Sequence, residues 1–109
     1  MFVLIDVGSQ PPSVSLEEPG DTRRFHVEVR GSAGHADWGL VFGALVDAAA
    51  GRLDGEDAWI TVDALRRLAA GRVGPAWDAD LTAMLDYARG EGWVDDATHA
   101  IRAHVEWVS

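Results

Sequence analysis

The clearest regularity in the chain is the strict alternation from Arg24 to Arg30, in which Phe25, Val27 and Val29 share one face and His26, Glu28 and Arg30 the other. It predicts a strand with one buried and one solvated side. The same period of two returns over residues 100–107, where Ile101, Ala103, Val105 and Trp107 alternate with Arg102, His104 and Glu106. Near the N-terminus, residues 2–7 are mostly apolar and β-prone, the pattern of a strand covered on both faces inside a sheet or a dimer seam. Pro11-Pro12 then interrupts pairing, Val14-Ser15-Leu16 reads as a short edge strand, and the Glu-Glu-Pro-Gly-Asp run at 17–21 reads as a turn.

After the Gly31-Ser32-Ala33-Gly34 break the spacing becomes helical. Trp38, Val41, Phe42, Leu45, Ala48 and Ala49 predict a helix over residues 36–50, closed by Gly51 as its C-terminal cap. Gly39, Gly43 and Ala44 leave room for a close neighbour, so this helix reads as buried or interfacial. Residues 53–57 form a short acidic loop, and the β-prone Ala58-Trp59-Ile60-Thr61 follows. Thr61 is placed to cap a helix over residues 62–70, with Asp63 in the first turn, where the helix dipole favours a carboxylate. Leu65 and Leu68 face its core side, and Gly71 and Gly74-Pro75 end it. Trp77, Leu81, Met84, Leu85 and Ala88 mark a further helix around residues 80–89, with Asp78 or Asp80 as cap and Gly90 or Gly92 as stop. Trp93-Val94, a turn at 95–98 and the arm 100–107 complete a hairpin.

Taken in order, Trp59 to Trp107 runs strand, helix, helix, strand, turn, strand. With the helix at 36–50 ahead of it, this order resembles a winged helix-turn-helix over about residues 36–108, the helix at 80–89 standing where the recognition helix would be. The resemblance implies a single α+β domain spanning residues 1–109. Three helices of a winged-helix-like core would pack under a small antiparallel sheet made from the N-terminal strands (residues 1–30) and the C-terminal hairpin. It also implies DNA binding, and the charge pattern argues against that.

Asp and Glu number 18 against 9 basic residues, all of them Arg, for a formal charge of −9. Such a surface repels phosphate polyanions and anionic membranes unless its arginines cluster. The helix that would read base edges instead offers Asp78, Asp80, Asp86 and Glu91 against Arg89. Arg66, Arg67 and Arg72 are the candidates for a local nucleic-acid patch; their alternative reading is solvated charge offsetting a helix dipole. Length and a 48% hydrophobic content fit one globular domain complete within the chain. The absence of Cys removes disulfides, thiolate metal sites and a cysteine nucleophile. Neither a signal-peptide pattern nor a run of about 20 apolar residues is present, so cytoplasmic residence is expected.

The candidate chemistry rests on His26-Val27-Glu28 and His104-Val105-Glu106, each on an amphipathic strand. Paired antiparallel, the two would set His26 beside Glu106 and Glu28 beside His104, a group able to ligate zinc or another divalent metal or to move protons. The competing reading is a solvated face with weak cross-strand pairs. His35 or Asp37 serves as a helix cap, and His99 lies exposed at a turn. Gly31 to Gly34 lacks the Lys-Ser/Thr ending of a phosphate loop. No residue is assigned to catalysis or to an organic cofactor. The five tryptophans at 38, 59, 77, 93 and 107 sit at apolar positions or element ends, where core packing is expected. The favoured function is a non-catalytic interaction module, expected to be a homodimer or to take a protein partner, with Phe2, Leu4, Trp38 and Phe42 as contact candidates.

Overall fold

A computed structural model describes residues 1–32 and 36–108. Its centre is a mixed sheet of seven strands curled into a half-barrel with three helices. β1 (Phe2–Asp6) pairs antiparallel with β2 (Ser13–Glu17) and parallel with β3 (His26–Arg30), so the N-terminal strand is interior to the sheet. α1 (Trp38–Asp47) follows, then the hairpin of β4 (Gly51–Asp54) and β5 (Asp57–Thr61). α2 (Val62–Ala69) and α3 (Trp77–Gly90) lead to the two-residue β6 (Val94–Asp95) and the nine-residue β7 (Ala100–Val108). β7 is the spine: it pairs parallel with β3 and antiparallel with β5 and β6, giving the order β2-β1-β3-β7-β5-β4.

This overturns the expectation of a three-helix core under a small antiparallel sheet. About a third of the chain is strand, and the ladders of β1 with β3 and of β3 with β7 are parallel. The direction follows from connectivity. The chain reverses from β1 to β2 and again in the connection from β2 to β3, so β3 runs with β1, and the helices and the β4–β5 hairpin between β3 and β7 return the chain to the same end of the sheet. The expected C-terminal hairpin exists only as the two rungs of β6 on β7. The remainder of β7 is committed to β3 and β5.

Local chemistry explains the element ends. Asp37 caps α1, accepting from the backbone N–H of Leu40 at 3.2 Å, and Thr61 caps α2, accepting from that of Ala64 at 3.2 Å. α3 starts at Trp77 with no side-chain cap, while Asp78 and Asp80 occupy its first turn. α1 stops at Asp47, three residues before its expected end, and the left-handed residue that closes it is Ala49 (φ 50), not Gly51. Gly51 belongs to β4 opposite Ile60, where a Cβ would collide with the carbonyl oxygen of Trp59. The expected acidic loop at 53–57 is the turn of the β4–β5 hairpin. Gly55 (φ 61) holds the first turn position, as a II′ turn demands.

Strand alternation sorts the sheet into two faces. Val3, Ile5, Leu16, Val27, Val29, Ala58, Ile60, Ile101, Ala103 and Val105 are buried, and they join the inward residues of all three helices in one cluster. Val41 and Leu45 of α1, Leu65 of α2 and Leu81 of α3 are fully buried in it. Each such side chain contributes roughly 1.5–3 kcal/mol. Trp77 is in this core and donates its indole N–H to the carbonyl of Pro19 at 2.6 Å. Trp38 and Trp107 meet edge to face at its margin, ring centroids 5.0 Å apart. The opposite face of the sheet carries the charged residues.

Candidate functional site

On that open face, His26 and Glu28 of β3 and Glu106 of β7 converge. His26 Nε2 lies 3.0 Å from Glu28 Oε1 and 3.8 Å from Glu106 Oε2. Residues i and i+2 of one strand share a face, which brings His26 to Glu28; the parallel ladder then sets Glu106 directly opposite Glu28. Phe2 of β1, the register partner of His26, stacks on its imidazole with centroids 5.0 Å apart and planes inclined by 19°. Arg30 donates from Nη2 to Glu28 Oε2 at 2.9 Å. The hydrogen bond with His26, then the bond and charge of Arg30, hold the Glu28 carboxyl below its ordinary range against an opposing desolvation.

His104 is the sequence candidate that stands apart. The antiparallel pairing that would have set it beside Glu28 does not occur, and its Nδ1 lies 3.4 Å from Asp57 Oδ1 across the β5–β7 ladder. Asp57 also accepts from Arg102 Nε at 2.8 Å. The guanidinium carbons of Arg102 and Arg52 lie 5.9 and 5.2 Å from the ring centroid of Trp59, which donates its indole N–H to Asp54 at 3.0 Å. Asp57, Trp59, Arg102 and Arg52 form a second polar group that carries no signature in the sequence, because its members come from three strands. A groove of about 350 Å³ beside it is lined by Phe25, Asp57, Trp93, Arg102, Ala103 and His104.

The four contact candidates separate. Phe2 is buried under the His26 stack, and Leu4 and Trp38 are half-buried. Phe42 projects outward from α1, accompanied by Leu40 and Val46, neither of which is among the sequence candidates. The sequence does not single these two out, since α1 is apolar on nearly every side, and only Val41, Ala44 and Leu45 of its residues prove to be buried. Tyr87 and Trp93, the other large apolar side chains that are exposed, meet each other edge to face at 6.3 Å.

Each arginine of the nucleic-acid candidate set is engaged inside the chain. Arg66 donates to Asp78 at 3.0 Å, Arg67 to the carbonyl of Ala48 at 2.6 Å, and Arg72 to the carbonyl of Leu16 with Glu17 at 3.7 Å. On α3, Arg89 is shared between Asp86 and Asp96. His99 is exposed with φ 52, and its carbonyl accepts from Val62 N–H at 2.9 Å. His35 lies outside the described residues. Among the described residues no helix is long and apolar enough to cross a membrane. No protein-family model matches the chain, and no curated protein or solved structure matches it.

Proposed function

We propose that the protein is a non-catalytic self-association module and that two copies meet through the outward face of α1. One observation carries this reading: Phe42 and Val46, one turn apart on the same side of α1, are 56% and 54% exposed, and Leu40, on another side of the helix, is 42% exposed. Nothing charged lies between Trp38 and Val46. Apolar side chains gathered this way mark interaction surfaces more often than isolated ones do.

A second copy is the occupant favoured by the chemistry. With a formal charge of −9, two chains repel wherever their carboxylates face each other, and the charge-free stretch of α1 lets them touch without that cost. The face is also self-complementary. Phe42 and Val46 project, while Gly39 and Gly43 beside them leave the helix backbone bare; a Cβ at Gly43 would meet nothing within 4 Å. A two-fold pairing seats Phe42 of each copy against the glycines of the other, the self-matching contact that symmetric dimers require. Sedimentation equilibrium at micromolar concentration tests this. The wild type is expected at the dimer mass and Phe42→Glu at the monomer mass, whereas a wild type that stays monomeric contradicts the proposal.

A further inference from the structure

The geometry points to a divalent-cation site of zinc type on the open face of the sheet, formed by His26 Nε2, one oxygen of Glu28 and one oxygen of Glu106. These donor atoms all lie within 4.8 Å of one another. Zinc with tetrahedral ligands at about 2.0–2.2 Å sets neighbouring donors roughly 3.3–3.6 Å apart. The separations of 3.0 Å from His26 Nε2 to Glu28 Oε1 and 3.8 Å to Glu106 Oε2 bracket that spacing.

Three features of the fold support the site. Glu28 and Glu106 are direct register partners, and like charges so placed repel unless a cation stands between them. The His26 ring is held by its stack on Phe2, which limits the entropy lost when its nitrogen becomes a ligand. Arg30 occupies Glu28 Oε2 and leaves Oε1 turned toward His26. Its positive charge moderates the affinity without cancelling two carboxylates. One imidazole with two carboxylates suits zinc and its first-row neighbours, while calcium calls for more oxygens than this face provides and magnesium favours an all-oxygen shell over an imidazole ligand. Water completes the coordination. An ion held here clips β3 to β7 and so favours the folded chain.

Calorimetric titration of the untagged protein with zinc at neutral pH, paired with thermal unfolding, tests the site. One equivalent is expected to bind the wild type and raise its unfolding midpoint. His26→Gln and Glu106→Gln each weaken zinc binding by about tenfold or more and abolish the rise. His104→Gln leaves both unchanged, because His104 faces Asp57 instead. The Glu106 side chain is 53% exposed, so that variant keeps the fold even if His26→Gln does not. Absence of zinc uptake by the wild type, uptake undiminished by Glu106→Gln, or uptake lost with His104→Gln would each overturn the assignment.

Discussion

Glu28 and Glu106 stand directly opposite each other across the parallel ladder of β3 and β7. Only Glu28 is well compensated, by His26 at 3.0 Å and Arg30 at 2.9 Å. Replacing the exposed Glu106 by Gln in metal-free protein therefore removes a repulsion and is expected to be neutral or stabilising by up to about 0.5 kcal/mol. Urea denaturation with chelator present measures this. A loss of more than 1 kcal/mol would show that Glu106 is satisfied in some other way.

The lowered pKa of Glu28 gives its contribution a definite sign with pH. Its folded value lies below the ordinary 4.5, so the stabilisation is complete above the unfolded value and is lost as pH falls through the folded one. Glu28→Gln is expected to cost about 1 kcal/mol at neutral pH, and the gap to wild type closes on the acid side of 4.5. Unfolding midpoints across that range report it. A gap that persists unchanged at lower pH would trace the loss to packing.

Ala49 and Gly51 should respond in opposite directions to exchange between Gly and Ala. Ala49 holds a left-handed conformation at the end of α1, where Gly is relieved of the Cβ clash, so Ala49→Gly is expected to gain about 0.5 kcal/mol. Gly51→Ala drives a Cβ into the carbonyl of Trp59 and is expected to cost at least about 2 kcal/mol. Denaturant midpoints of the two variants decide it, and equal shifts of the same sign would refute this account of the α1–β4 junction.

Thr61 joins β5 to α2 and caps the helix by accepting from Ala64 N–H. Thr61→Ala should cost about 1 kcal/mol, while Leu65→Ala in the same helix removes a fully buried side chain and should cost about 2–5 kcal/mol. Chemical denaturation of both variants tests the order. A Thr61→Ala loss as large as that of Leu65→Ala would mean the hydroxyl does more than cap.

These particulars mark how far the fold can be read from the chain. The alternation at 24–30 and 100–107 suffices to predict β3 and β7 and to place His26, Glu28, His104 and Glu106 on solvated faces. It cannot give the pairing direction, because His-Val-Glu reads with the same parity either way. Direction is a property of the connections, and it decides that Glu106 meets Glu28 while His104 goes to Asp57. The β4–β5 hairpin is obscured because Leu53 is the one large apolar residue in β4, although Gly55-Glu56 has the Gly-first order of a II′ hairpin turn. Phe42 is legible as a contact candidate, but Leu40 and Val46 are not, since in a helix apolar on every side the spacing alone does not separate inward from outward positions.

The pairing of two α1 faces can be tested most directly with a single introduced thiol, because the chain contains no cysteine and any cross-link must join two copies. Val46→Cys lies on the proposed contact face and Ala97→Cys on the exposed turn between β6 and β7. With a short thiol-reactive cross-linker at micromolar concentration, Val46→Cys is expected to convert largely to covalent dimer while Ala97→Cys remains monomeric. Equal cross-linking of the two variants, or none at Val46→Cys, would contradict self-association through α1.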